Sequence, residues 1–174
     1  MTEIETSPQQ VHQLVQYLMS EDILYPLANS IRKLPFESRK DIQLIFSSVL
    51  RFKPFQNDKA DPIVLKHIVN QRPEIVIALC HGYDYRPSFL HCGLILREAL
   101  KHECLTALVL YDEPSDIRRK GLQGIDENKP SSGRGVFWQF FDWIGRCDFD
   151  MSADCFEVFR VGYSFIHACR VIRC

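Results

Sequence analysis

The feature that most constrains the fold is a helical spacing of apolar residues that recurs along most of the chain. Apolar side chains stand at i, i+3, i+4 and i+7, which places them on one stripe of a helix. The clearest stripe comprises Ile42, Ile45, Phe46, Val49 and Leu50. No segment alternates apolar and polar residues with enrichment in β-branched side chains, as a half-buried strand would. The pattern predicts an all-α protein.

Prolines and capping residues divide these stripes into three groups of three helices. Ser7 is a predicted N-cap with Pro8 at the first helical position, Asp22 is a predicted cap for the second helix, and Arg51 ends the third before Pro54. The predicted stripes and helices lie within 11–19, 23–34 and 42–51, then 62–70, 73–82 and 87–102, and finally 103–112, 135–146 and 150–160.

A local repeat supports the grouping into triads. Phe36-Glu37, Asp41-Ile42 and Ile45-Phe46 recur at identical spacing as Phe149-Asp150, Asp154-Cys155 and Val158-Phe159, on the third helix of each triad. The period of about 40–50 residues is that of HEAT and armadillo arrays. Residues 113–134 interrupt the pattern with glycine, proline and serine, so they are predicted to be a flexible surface insertion.

Composition excludes several classes of function. Twenty-one Lys and Arg face 22 Asp and Glu, giving a net charge of −1, so no basic excess predicts nucleic-acid or anionic-membrane binding. No apolar run approaches the ~18–20 residues of a membrane span. The acidic N-terminus lacks signal-peptide features and the seven cysteines include no C-x-x-C pair, so a cytoplasmic protein with reduced thiols is expected.

The cysteines and histidines offer the most obvious candidate chemistry. They cluster as Cys80-His81, His91-Cys92 and His102 with Cys104. Helical spacing places Cys92 and the small Gly93 on the apolar face and His91 opposite, so the prediction is core cysteines and surface histidines, with no metal site. Gly93 would also let a neighbouring helix approach closely. A thiol hydrolase using this region remains the alternative.

Neither an acidic run nor any other motif predicts a cofactor site. Asp148, Asp150, Ser152 and Asp154 begin like a calcium loop. Ala153 stands where that loop needs glycine and Phe159 where it needs an acid, so an acid-rich helix start is the better interpretation. No catalytic, cofactor-binding or metal-binding residue is predicted.

An aromatic run at 136–144 is the densest apolar feature. Its predicted core face comprises Val136, Phe137, Phe140, Phe141 and Ile144. Trp138 falls outside that face, and Phe149 has no apolar stripe of its own. Aromatic residues are enriched at interfaces, so these two are the candidate partner-binding residues.

Three segments carry a family resemblance. Residues 34–41 (LPFESRKD), 92–103 (CGLILREALKHE) and 149–156 (FDMSADCF) closely resemble the mouse-protein-25 scaffold family, also called calcium-binding protein 39, and its fungal HymA-type members. The resemblance implies a right-handed armadillo/HEAT-like superhelix of stacked repeats over residues 1–160, without catalytic activity or cofactor.

The same resemblance implies that the protein holds kinases or pseudokinases in an active conformation. The implied partners are Ste20-like (germinal-centre) kinases or a pseudokinase and, in fungi, an NDR-kinase network of polarised growth and conidiophore development. Phe149 matches an aromatic of the family's concave, kinase-contacting face, whereas nothing in the family singles out Trp138. A non-kinase adaptor on the same fold is a further alternative.

Residues 161–174 resemble nothing in the family, whose helix continues differently after Arg160. The tail is therefore interpreted as a translated intron in a truncated gene model, which a mature transcript encoding these residues would disprove. The family's C-terminal half is also missing, so apolar surface at the end of the array is expected to cause self-association.

Overall fold

The computed structural model describes residues 7–53, 61–111 and 132–172, and every described element is helical. The α-helices are α1 (Pro8–Ser20), α2 (Leu24–Ser30), α3 (Phe36–Arg51), α4 (Ile63–Gln71), α5 (Glu74–Cys80), α6 (Phe89–Ala99), α7 (Glu103–Leu110), α8 (Val136–Arg146) and α9 (Phe149–Ile172). Short 3-10 turns cover Ile31–Lys33, His81–Asp84 and Arg86–Ser88. The predicted all-α class is confirmed.

The start of α1 follows the sequence prediction in detail. Ser7 Oγ accepts a hydrogen bond from the Gln10 backbone N–H at 3.3 Å, and Gln10 Oε1 accepts one from the Ser7 N–H at 2.9 Å. Pro8 occupies the first helical position. This reciprocal capping box satisfies two donors that a helix start would otherwise leave open.

The predicted cap of α2 is wrong. Asp22 has a positive φ of 52°, and α2 begins two residues later with no side-chain cap. The Asp22 carboxylate instead accepts a hydrogen bond from Arg72 Nε at 2.7 Å, which ties the α1–α2 turn to the end of α4. The predicted helix over 23–34 is likewise split, because α2 gives way to the 3-10 turn at Ile31.

Five of the helices pack on the helix three further along the chain. α1 contacts α4, α4 contacts α7, α2 contacts α5, α3 contacts α6, and α6 contacts α9. This is the packing of three stacked triads, so the predicted helical repeat is confirmed. The fully buried side chains include Phe46, Tyr83 and Phe140, one from each triad, and they belong to one continuous core.

Two features at the C-terminal end differ from the sequence prediction. α9 does not stop near residue 160 but continues as one helix to Ile172. In α8 the buried side chains are Val136, Phe140 and Trp143, whereas Phe141, predicted to lie in the core, is half-exposed. Trp143 takes that place because its ring packs on Tyr83, with ring centroids 5.6 Å apart.

The predicted insertion lies mostly outside the described residues. Only Ser132, Gly133 and Arg134 are described, and Gly133 has a positive φ of 70°, a backbone conformation that favours glycine. The boundary at residue 160 between the repeat domain and the tail stays a prediction.

Candidate protein-binding surface

The third helices of the triads, α3, α6 and α9, lie side by side with α6 in the middle. Each begins with a phenylalanine and buries the sixth residue after it. The starting residues are Phe36, Phe89 and Phe149, and the buried residues are Ile42, Ile95 and Cys155. The three helices therefore share one register, and they form a ladder whose two seams lie on either side of α6.

The seam between α6 and α9 is built around one carboxylate. Asp154 of α9 accepts a hydrogen bond from the Tyr83 hydroxyl at 2.5 Å and forms an ion pair with Arg97 of α6. The carboxylate lies directly over Gly93, where a Cβ atom would come within 2.6 Å of the Tyr83 hydroxyl. The close approach predicted for Gly93 is confirmed, and the neighbouring helix is α9.

Tyr83 is held as a hydrogen-bond donor by its surroundings. Its ring is buried between Trp143 and Phe140, at centroid distances of 5.6 and 6.3 Å. Burial, and then the neighbouring Asp154 charge, raise the pKa of Tyr83 well above its ordinary value of 10.0. The phenol is therefore protonated at all physiological pH values and donates its hydrogen bond to the carboxylate.

The seam between α3 and α6 is an ion-pair cluster at the surface. Glu98 accepts hydrogen bonds from Arg51 Nε at 2.9 Å, from Arg51 Nη2 at 3.2 Å and from Lys101 Nζ at 2.9 Å. The Arg51 hydrogen bond is the main cause that lowers the pKa of Glu98 to about 2. Arg97 therefore connects α6 to α9, and the adjacent residue Glu98 connects α6 to α3.

The ladder helices also leave large apolar side chains in solvent. We call the following set the ladder face: Phe36 and Leu44 of α3, Leu90 and Leu94 of α6, and Phe149 and Phe156 of α9. Phe149 is the most exposed, at 84% of its surface. Large apolar side chains exposed on three neighbouring helices make the ladder a candidate protein-binding surface.

The two predicted partner-binding residues lie in different places. Phe149 is the first residue of α9, next to Asp148, whose side chain accepts a hydrogen bond from the Met151 N–H at 3.1 Å and pairs with Arg86 at 2.8 Å. Trp138 lies on α8, and its ring packs on Phe141 at 6.0 Å. Phe141 in turn packs on Phe159, ten residues or roughly 15 Å along α9 from Phe149.

The predicted cluster of thiols and imidazoles does not converge. Cys80 and Cys92 are buried in the core, as predicted, and burial raises the pKa of Cys92 to about 12. The prediction that His91 lies at the surface is wrong, because His91 is 4% exposed and packs edge-on against Phe36 at 5.1 Å. His81 binds Asp84 at 2.9 Å instead of a cysteine. A protonated, buried thiol is not an activated nucleophile.

The acidic residues near the start of α9 do not form one site, because they contact different groups. Asp148 caps the helix, whereas Asp154 lies in the α6–α9 seam. Within residues 7–53, 61–111 and 132–164, no group of three His, Cys, Asp or Glu side chains is placed to hold a metal ion.

The sequence comparisons agree with this helical array. A sequence model of the Mo25-like family matches residues 1–163. The chain belongs to the Mo25-like family. Among its relatives, the conidiophore development protein hymA of Emericella nidulans is 50% identical over 162 residues, which are 91% of this chain and 41% of that protein.

More distant relatives come from animals. MO25-like protein 2 of Caenorhabditis elegans is 31% identical over 90% of this chain and 38% of its own length. The human calcium-binding protein 39-like is 28% identical over 91% of this chain and 39% of its own length. The chain thus spans about two fifths of the length of these Mo25-like relatives.

Sequence reasoning did not assign the residues of the Mo25-like ladder seams. Arg97 and Glu98 were visible only as part of a family block, and Asp154 only as part of an incomplete calcium loop. The sequence signal that could have found this seam is Gly93 on an apolar stripe, one turn before the Arg97-Glu98 pair. A small residue near charged side chains indicates a close helix–helix contact that includes an ion pair. In the described part of the chain no helix combines the length and apolar character needed to cross a membrane.

Proposed function

We propose that this chain is a non-catalytic scaffold that binds a protein kinase or pseudokinase through the ladder face. The observation that carries the proposal is the set of exposed apolar side chains across α3, α6 and α9, in a chain of the Mo25-like family. Partners of the Ste20-like class, and of an NDR-kinase network in fungi, are the ones that the family resemblance implies.

The chemistry of the ladder supports binding rather than catalysis. The carboxylates of Asp154 and Glu98 accept hydrogen bonds that hold neighbouring helices of the ladder together. Burial raises the pKa values of the Cys92 and Cys155 thiols, so these two thiols stay protonated and are not activated nucleophiles. The ladder presents several large apolar side chains to solvent, which suits capture of another protein.

The proposed setting is cytoplasmic signalling that controls growth and form. The name of hymA refers to conidiophore development, and we extend that developmental role to this chain. A kinase scaffold of this kind would act in the cytoplasm, in cell polarity and morphogenesis.

A binding experiment with matched variants tests the proposal. We expect the chain to bind a Ste20-like kinase domain in isothermal titration calorimetry and to raise its rate of substrate phosphorylation, with full-length hymA as the positive control. Phe149→Ala should weaken binding about tenfold, as loss of an interface aromatic does. Tyr17→Ala on α1 removes an equally aromatic, half-exposed side chain away from the ladder and should bind as the unaltered chain does.

The two candidate residues are separated by the same assay. If Trp138→Ala weakens kinase binding and Phe149→Ala does not, the partner lies on α8 and the ladder face is the wrong surface. If the chain binds neither kinases nor pseudokinases while hymA does, the kinase-scaffold function is rejected for this chain.

A further inference from the structure

The N-terminal ends of α3 and α6 meet around a buried histidine. His91 lies in the first turn of α6, and its ring packs against that of Phe36, the first residue of α3, with ring centroids 5.1 Å apart. The Nδ1 atom of His91 is buried and has no hydrogen-bond partner among the described residues. A neutral imidazole can leave this nitrogen unprotonated, whereas an imidazolium would bury an N–H without an acceptor.

A buried arginine makes this end of the seam unfavourable for a second positive charge. Arg39 of α3 donates a hydrogen bond from Nε to the Ile31 carbonyl at 3.3 Å and one from Nη1 to the Pro87 carbonyl at 2.6 Å. Its guanidinium also lies over the Tyr85 ring, 5.7 Å from the centroid. These partners are neutral, so they hold the guanidinium in place without cancelling its charge.

The surroundings of His91 favour its neutral form. Burial, and then the Arg39 charge, lower the pKa of His91 below its ordinary value of 6.5. The dipoles of α3 and α6 act in the same direction, because a cation is disfavoured at a helix N-terminus. The other elements packed on α6 do not offset these effects, although they carry Glu74 on α5, His81, Asp84 and Arg86 on the 3-10 turns, and Asp154 on α9.

The opposite end of the same seam carries a histidine with different neighbours. His102 follows α6, and its side chain hydrogen-bonds to the backbone of Leu50 near the end of α3. Burial lowers the pKa of His102, but the charges of Asp61 and Glu98, set against that of Lys101, act to raise it. A proton on His102 is therefore compensated by carboxylates, whereas a proton on His91 is not.

We propose that protonation of His91 opens the α3–α6 seam at its Phe36 end, which makes this seam a pH-sensitive hinge. The imidazolium escapes burial and the Arg39 charge by moving into water together with the exposed Phe36 ring. The other end stays joined, because Glu98 has a pKa of about 2 and remains ionised beside Arg51. Phe36 belongs to the ladder face, so opening would also alter partner binding, a consequence that rests on the proposed function.

The pH range of the hinge follows from the sign of the pKa shift. A histidine whose pKa is lowered in the closed seam stabilises that seam fully above pH 6.5, and the stabilisation is lost as pH falls. Below pH 6.5 the open seam binds one proton more than the closed seam. The equilibrium constant for opening should therefore rise up to tenfold for each unit of pH below 6.5, until the closed form is protonated as well.

Two measurements on the full chain test this proposal. An NMR titration of the His91 ring should give a pKa below 6.5. Hydrogen exchange read by mass spectrometry, corrected for intrinsic exchange rates, should show about tenfold less protection in the first half of α3 at pH 5.5 than at pH 6.5. Protection in α9 should change little, because its seam with α6 does not contain His91.

Matched histidine variants assign the response to one residue. His91→Gln keeps a polar side chain that does not titrate, so the loss of protection in α3 between pH 6.5 and pH 5.5 should disappear. His102→Gln alters the other end of the same seam and should respond to pH as the unaltered chain does. Circular dichroism establishes that both variants keep their helices.

Three results would overturn the proposal. A His91 pKa at or above 6.5 means that the closed seam does not exclude the imidazolium. Equal loss of protection in α3 and α9 means that the whole array unfolds and no hinge opens. A response that survives in His91→Gln, or disappears in His102→Gln, belongs to another group. If His91→Gln does not fold, the titration and the protection profile of the unaltered chain still decide, and none of these measurements depends on kinase binding.

Discussion

The two seams of the ladder join the same helix to its neighbours in opposite ways. Between α6 and α9, Asp154 accepts a hydrogen bond from Tyr83 and forms an ion pair with Arg97. Gly93 and buried aromatic rings surround this site. Between α3 and α6, Glu98 receives Arg51 and Lys101, whose side chains are more than half exposed to water.

This difference separates rigid from adjustable contacts in the array. The Asp154 and Glu98 side chains are almost equally exposed, at 11% and 14%, but the donors to Asp154 lie deeper than those to Glu98. Donors inside a seam tolerate little displacement, because a lost partner leaves an uncompensated charge. Exposed ion pairs contribute little net energy and can re-form with water when helices shift. We therefore expect the angle between α6 and α9 to be fixed, and that between α3 and α6 to vary when a partner binds.

The largest expected effect comes from filling the space over Gly93. Gly93→Ala would place a methyl group against the Asp154 carboxylate and the Tyr83 hydroxyl, and the Tyr83 ring cannot retreat from Trp143 and Phe140. We expect a loss of about 3 kcal/mol in the free energy of unfolding, measured by urea denaturation.

Gly145 supplies the matched control for this substitution. It lies within α8, and a Cβ atom there would meet nothing within 4 Å. Gly145→Ala should leave stability unchanged or raise it by about 0.5–1 kcal/mol, because alanine is the better helix former. If both substitutions had equal effects, the close approach at Gly93 would be of no consequence.

Removing the central carboxylate should have a slightly smaller effect. Asp154→Ala leaves the buried Tyr83 hydroxyl and the Arg97 guanidinium without their shared acceptor, so we expect about 2–3 kcal/mol of destabilisation. Adding Tyr83→Phe should then cost little more, since the orphaned hydroxyl is gone. Fully additive effects in this double-mutant cycle would contradict a shared site.

The exposed seam should respond least and should depend on pH. Glu98→Gln is expected to cost at most about 1 kcal/mol at pH 7, because solvent screens Arg51. The folded-state pKa of Glu98, about 2, lies below its ordinary value of 4.5, so its contribution is present above pH 4.5 and is lost as pH falls towards 2.

Denaturation of both chains from pH 7 to pH 2 checks this prediction. The stability difference between the unaltered chain and Glu98→Gln should shrink through the acidic range and should also fall at high salt. A difference that grows on acidification would show that Glu98 is not stabilised as the anion.

The periodic part of the fold was predictable because it depends on local chemistry. The α3 stripe and the Ser7 capping box are written within a few residues of sequence, and both are confirmed. Asp22 was assigned to a local cap, but its partner, Arg72, is 50 residues away. No local rule could have indicated that pairing.

The errors at His91 and Phe141 have a common physical origin. A helical wheel separates one buried face from one exposed face, but α6 is covered by α3 on one side and by α9 on the other, so His91 is buried as well. In α8, Trp143 is drawn inward by Tyr83 and by a 2.9 Å hydrogen bond from its Nε1 to Asp84. Tertiary neighbours, not periodicity, decided which side chains are buried, and Phe149 stays a predicted contact.

The chain has two tryptophans, and they lie in different environments on α8. Trp143 is 5% exposed beside the α6–α9 seam, whereas Trp138 is 44% exposed on α8. Fluorescence from these indoles therefore comes from two environments, one dry and one wet. Single-tryptophan versions would report opening of the α6–α9 seam and binding at the outer surface of α8 as separate optical signals, without any added label.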